Sequence, residues 1–350
     1  MHRILIPAFF FVFLTLSGRA QTQQNSDQAG VGGNTPPQTP LEIAQQMAAR
    51  GRLDKAMVQL DQLAAQTPEP AGVERLRGMI FYQKDQLQEA LAAFSKAMDQ
   101  DPGDRESTEM RGVALFRLGR SPEAIPYLEK AHTGVESANV DPQYVLGLCY
   151  SDAQRYDDAR HAFATQYGFA PDSAEAYLLA GRLFLRREFV APAAAEVNKA
   201  LEINPSLPLA HQLLGEIALA RGDSHTAIGE FEAERKIDPL NGALYERLGD
   251  AYLRAGQYTD AQTALDRAVL LEPSSTAPYI LLGETFLKLQ QPIQALHYLA
   301  HAAKMDPANY ITHNLMGQAY RATGQVAEAK REFQTVVDLQ QSLAPQPAGK

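Results

Sequence analysis

Between residues 242 and 275 the apolar positions fall into two stripes. Tyr245, Leu248, Gly249 and Tyr252 stand at i, i+3, i+4 and i+7, which is one face of an α-helix. Gly256 suits the left-handed conformation that ends such a helix. Ala261, Leu265 and Ala268 form the stripe of a second helix. Glu272-Pro273 stops it, because proline pushes the residue before it out of helical geometry. The segment predicts a helical hairpin with one apolar face on each helix.

The same pattern returns along most of the chain. Gly78, Gly112, Gly147, Gly181, Gly215, Gly249, Gly283 and Gly317 are 34 residues apart, except for one step of 35. Twelve residues after each comes alanine: Ala90, Ala124, Ala159, Ala193, Ala227, Ala261, Ala295 and Ala329. Pro171, Pro205, Pro239, Pro273 and Pro307 keep the step, and Ala44, Ala56 and Pro68 carry the register one repeat earlier. Nine repeats result: 37–70, 71–104, 105–138, 140–173, 174–207, 208–241, 242–275, 276–309 and 310–343. Gly51, Gly119, Gly222 and Gly324 share the place of Gly256. A single hairpin cannot cover its own apolar face, so the repeats must stack. The recurring glycine and alanine are expected where paired helices cross and a larger side chain would force them apart.

These residues resemble the tetratricopeptide repeat family, whose pattern sets a large aromatic, Leu, Gly and Tyr on the first helix and Ala, Phe, Ala and Pro on the second. The second repeat has Gly78, Phe81, Ala90, Phe94, Ala97 and Pro102. The fourth has Leu146, Gly147, Tyr150, Ala159, Phe163 and Pro171; the ninth has Met316, Gly317, Tyr320, Ala329 and Phe333. The resemblance implies an all-α, right-handed α-solenoid of antiparallel helix pairs. The chain also departs from the pattern. Tyr177, Tyr245 and Tyr279 hold the leading aromatic position, His211 and His313 replace it twice, and Pro40, Glu74, Thr108 and Gln143 fill it in the first four repeats. Arg77 and Arg111 stand where leucine precedes the glycine. The third repeat carries Pro126 inside its second helix and runs into the loop Thr133 to Val140, so a local irregularity or hinge is expected over residues 120–142.

The family presents positions 2, 5, 9, 12 and 13 of each first helix to a concave groove that takes peptides or helices. Carried onto this chain, positions 5, 9 and 12 place Arg75, Met79, Tyr82, Glu109, Phe116, Tyr144, Leu148, Leu178, Arg182 and Leu185 along the second to fifth repeats. The sixth to eighth repeats contribute a row of carboxylates, Glu216, Glu246, Asp250 and Glu284. Aromatics and arginine are common binding anchors, and an acidic row attracts a basic segment. No repeat has Asn at position 9, so the family's clamp for chaperone tails is not expected.

Composition narrows the picture further. A net charge of −9, from 32 basic and 41 acidic residues, opposes general nucleic-acid binding, which needs a basic footprint. One cysteine excludes a disulfide framework, and Cys149 falls where the family has a small buried side chain. His297 and His301, four apart, could share a metal ion, but no third ligand accompanies them in sequence. No motif of catalysis or cofactor binding is present, so no enzyme activity, metal or cofactor is expected.

His2 and Arg3 precede an apolar run from Ile4 to Leu16, then Ser17, Gly18, Arg19 and Ala20, which reads as a signal peptide over 1–20. Arg19 stands where a lipoprotein signal would need cysteine, so no lipidation is expected. Residues 21–36 and 344–350 read as a disordered linker and tail. The chain is expected to be exported, periplasmic in the first instance and secreted in the second, and to act as a scaffold or adaptor for a partner protein or peptide. Three rivals stay open: a dedicated subunit of an envelope assembly or of a polysaccharide or protein export complex, a self-associating repeat protein, and an enzyme with an unrecognised site.

Overall fold

The computed structural model describes residues 38–131 and 142–343. The expected signal peptide, linker, tail and the loop 133–140 lie outside the described residues. The described residues are all-α, with 18 helices and no strand. Their contacts divide into two compact units that meet in sequence between Gln154 and Arg155.

The N-terminal unit holds α1 (Pro40–Ala49), α2 (Leu53–Ala64), α3 (Val73–Gln83), α4 (Leu87–Gln100), α5 (Arg105–Arg117), α6 (Ser121–Ala131) and α7 (Pro142–Asp152). The C-terminal unit begins with α8 (Tyr156–Tyr167), α9 (Ala174–Arg186), α10 (Val190–Ile203), α11 (Ala210–Ala220), α12 (Ser224–Ile237) and α13 (Gly242–Arg254). It continues with α14 (Tyr258–Leu271), α15 (Ala277–Lys288), α16 (Pro292–Met305), α17 (Tyr310–Ala322) and α18 (Val326–Leu343). Within each unit every helix packs on its sequence neighbours, and each first helix also touches the next first helix. Successive second helices have no comparable contact among the described residues. The first helices therefore form the closely spaced layer of an α-solenoid, and the second helices the outer one.

The crossing point is where the periodic glycines act. A Cβ on Gly78 would stand 2.5 Å from the ring of Phe94, and one on Gly249 would stand 2.5 Å from Leu265 Cγ. In every repeat where this contact is described, the opposing side chain lies sixteen residues after the glycine: Leu128, Val197, Phe231, Leu299 and Phe333 complete the set. The partner alanines are covered as well, with Ala90, Ala124, Ala159, Ala193, Ala227, Ala261 and Ala295 fully buried and Ala329 nearly so.

Turns between paired helices share one geometry. Gly256 has φ +76°, and the next amide, Gln257 N–H, returns to the carbonyl of Tyr252 at 2.9 Å. Gly51, Gly119, Gly222 and Gly324 repeat this conformation. The remaining hairpins force Asp85, Gln154, Glu188 and Gln290 into it, at φ between 59° and 64°. Turns between repeats are closed by caps that stand two residues after a proline. Asp104, Ser173, Asn241 and Asn309 each accept an amide N–H of the helix that follows. The leading aromatic ties down the same turn: the Tyr245 and Tyr279 hydroxyls donate to the carbonyls of Pro239 and Pro273, both at 3.2 Å. His313 Nε2 reaches Pro307 O at 3.0 Å in the equivalent way.

The irregular positions resolve individually. Arg77 pairs with Asp61 and Glu74, both at 3.1 Å, and Arg111 donates to Leu91 O at 2.9 Å while covering the Tyr127 ring. Both arginines find polar partners at a site built for leucine. Pro126 does not end α6, which runs from Ser121 to Ala131, and residues 132–141 of the segment where an irregularity or hinge is expected lie outside the described residues. Pro126 stands at the middle of α6 on its exposed face, where water can satisfy the carbonyl that loses its donor.

Candidate functional site

The closely spaced first helices carry the residues singled out above, and the structure treats them unequally. In the N-terminal unit, Tyr82 is buried beneath the Arg117 guanidinium, 4.8 Å from the ring centre, and Glu109 is buried on α5. Neither side chain is open to a partner. Arg75 is committed to the neighbouring turn through Asp104 and Glu106, both at 3.3 Å. Met79, Phe116, Tyr144 and Leu148 are half-buried.

In the C-terminal unit the surface keeps more of its side chains available. Leu178, Arg182 and Leu185 are half-buried on α9. Position 12 continues as Leu219 and Leu287, half-buried, and Leu253, buried, so leucines recur on successive first helices. Beside them run Glu216 on α11, Glu246 and Asp250 on α13, and Glu284 on α15, all half-buried.

This carboxylate row is not a bare acidic surface. Asp250 accepts from Arg254 Nε at 2.9 Å, one helical turn away. Glu216 lies 3.9 Å from Arg247 and accepts from Gln212 at 3.1 Å. Glu246 is pushed above the ordinary carboxylate range by burial, with Glu272 and Asp250 acting in the same direction against Arg247 and Ser275. Glu284 feels Arg254 without bonding to it. Carrying over positions 5, 9 and 12 alone leaves out position 13, where Arg117, Arg186, Arg254 and Lys288 stand. The signal for two of them was local, since Asp250 and Arg254, and Glu284 and Lys288, are spaced i, i+4, although only Asp250 and Arg254 form an ion pair.

Two cavities open in the C-terminal unit. One, of about 520 Å³, lies on the first-helix face between α15 and α17 and is lined by Glu284, Leu287, Lys288, Leu315, Gln318, Arg321 and Ala322. The other, of about 560 Å³, lies between α12 and α14 above α13. There Glu232 is already held by Arg235 at 2.5 Å and by the Tyr252 hydroxyl at 3.0 Å. Burial and that carboxylate push the Tyr252 phenol up to about 12.

The remaining candidates are placed outside these surfaces. Cys149 is buried in α7. His297 and His301 are exposed on α16, His297 edge-on to Tyr298 and His301 tilted against Tyr279 with ring centres 4.4 Å apart. Among the described residues no third His, Cys, Asp or Glu joins them. No described helix is long and apolar enough to cross a membrane.

Hairpins stacked by small residues at their crossings, with one layer of helices left to display side chains, define a helical-repeat interaction scaffold. Two profiles described as tetratricopeptide repeat match residues 213–279 and 286–346, so this part of the chain is built of tetratricopeptide repeats. Residues 33–182 match a further family, described as T7SS, ESX-1 secretion system protein EccA1, N-terminal domain. No curated protein matches the chain.

Solved structures share the helical-repeat fold. MamA from Desulfovibrio magneticus RS-1, from its residue 41 onward, is 23% identical over 49% of this chain and 97% of its own, with a TM-score of 0.47. YrrB, a TPR protein with an unusual peptide-binding site, is 22% identical over 53% of this chain and 95% of its own, at 0.46. PilF of Pseudomonas aeruginosa is 21% identical over 50% and 78%, at 0.44. Likeness at this level carries no argument about ligands.

Proposed function

We propose that the chain is a non-catalytic scaffold or adaptor of the bacterial cell envelope that holds a partner protein or peptide on its first-helix face. The observation that carries this reading is the recurrence of Leu185, Leu219 and Leu287 on that face, half-buried and flanked by charged side chains. Leu219 and Leu287 pack on the core with one side and stay partly in water with the other, and that open side suits a partner laid across the repeats. The mixed charges beside them suit a segment with residues of both signs better than a purely basic one. The envelope location rests on the signal-peptide reading of residues 1–20, with the periplasm as first compartment and secretion as second.

A second reading, a dedicated subunit of an envelope assembly or export complex, is favoured by the match of residues 33–182 to a secretion-system domain. Affinity capture from envelope extracts, with the tagged chain and with its Leu185→Glu/Leu219→Glu variant, tests the shared element of both readings. Partners captured equally by the two forms would remove the first-helix face from the mechanism. A stoichiometric partner through every purification step would favour the fixed subunit over the adaptor. Cell fractionation tests the location, and recovery in the cytosol alone would overturn it.

A further inference from the structure

The cavity between α15 and α17 contains charges that the fold leaves unused. Among the described residues no carboxylate pairs with Lys288, and Arg321 meets only the face of Phe333, 5.9 Å from its ring centre. Glu284, one turn before Lys288 on the α15 wall, makes no ion pair among the described residues, and Arg254 is bonded to Asp250 instead. Leu287 and the buried Leu315 line the apolar part between them. In the cavity between α12 and α14, by contrast, Glu232 and Arg235 satisfy each other.

We propose that this cavity is a subsite for an extended peptide segment bearing an acidic side chain next to an apolar one. It rests on the reading of the first-helix face as a partner surface and names the chemistry taken at one place on it. The ligand carboxylate is received by Lys288 and Arg321, two cations that lack a counterion, and the apolar neighbour covers Leu287 and Leu315. Glu284 repels a second acid on its side and accepts a peptide N–H or a basic residue. A run of acids and a polyphosphate backbone are both disfavoured by that carboxylate, so the preference is for one acid beside one apolar residue.

Selection of a displayed library of random twelve-residue peptides on the immobilised full chain tests this directly. Enrichment of Asp or Glu adjacent to Leu, Ile or Phe is expected. A synthetic copy of an enriched peptide should bind the Lys288→Glu/Arg321→Glu chain about tenfold more weakly than the parent. Both residues are exposed, and an unchanged helical circular dichroism spectrum would show that the variant folds. Enriched peptides without an acidic preference, or equal affinity for parent and variant, would overturn the subsite. If such peptides still lose binding to Leu185→Glu/Leu219→Glu, the partner surface stands and only the subsite falls. If no peptide is enriched, both fall.

Discussion

Leu265 fills the space in which a side chain on residue 249 would have to sit, with its Cγ 2.5 Å from the Cβ that Gly249 lacks. Leu265 is fully buried and cannot swing away. Gly249→Ala should therefore destabilise the C-terminal unit by about 1–2 kcal/mol, the overpacking cost less the gain in helix propensity. Gly229, in the middle of α12, has nothing within 4 Å of its missing Cβ. Gly229→Ala should stabilise by up to about 1 kcal/mol. Urea denaturation of both variants makes the comparison, and equal shifts would contradict the packing argument.

Gln290 and Gly256 occupy the same turn position in successive repeats, both left-handed and both exposed. A side chain with a Cβ is strained there by about 1 kcal/mol. Gln290→Gly should raise the thermal midpoint and Gly256→Ala should lower it. A lowered midpoint for Gln290→Gly would mean that its side chain contributes more than its backbone costs.

Arg160 is buried in α8, where its guanidinium meets Asp157 at 2.6 Å, Asp172 at 3.1 Å and Glu196 at 3.4 Å while lying over the Tyr177 ring. Burial pushes the Glu196 carboxyl up in spite of that cation. Arg160→Ala strands Glu196 and should cost about 3 kcal/mol. Other repeats place Leu91, Ile125, Ile228 and Leu296 at this position, so an apolar pair is compatible with the site. Arg160→Leu/Glu196→Leu should recover most of the loss in chemical denaturation. Additive losses would show that the network does more than neutralise itself.

Glu246 gives a pH dependence with a definite sign. Burial raises its pKa in the folded chain above the unfolded value near 4.5, so the native state holds the proton more tightly. Its stabilising contribution is complete below the unfolded value and is lost as the pH rises through the folded one. Glu246→Gln should thus gain stability relative to the parent as the pH rises above the unfolded value near 4.5, read as the difference in urea midpoints. A difference that shrinks over that rise would reverse the assignment.

The candidate surface was legible in outline only. Repeat phase identifies which positions of a helix face the same way, and that placed Leu178, Leu185 and the carboxylates on one layer. It does not say where long side chains go. Arg117 lies over Tyr82, and Arg254 reaches back to Asp250. Both depend on rotamers chosen among alternatives of similar energy. Glu234 is a further case: its buried carboxylate caps α11 through the amides of Leu209 and Gln212, at 2.7 and 3.2 Å, with no local motif to announce it.

The sequence alone determined the hairpin, its 34-residue period and the small residues at each crossing. Those features are set by local helix periodicity and by close contacts sixteen residues apart, which any one repeat already contains. Only the tertiary structure decided which displayed residues remain available. The stacking of one repeat on the next buries Glu109, ties Arg75 to the following turn and leaves Glu284, Lys288 and Arg321 unpaired around one cavity. Exposure and ion pairing depend on distances between side chains from different repeats, and a linear pattern of apolar and polar positions does not encode those distances.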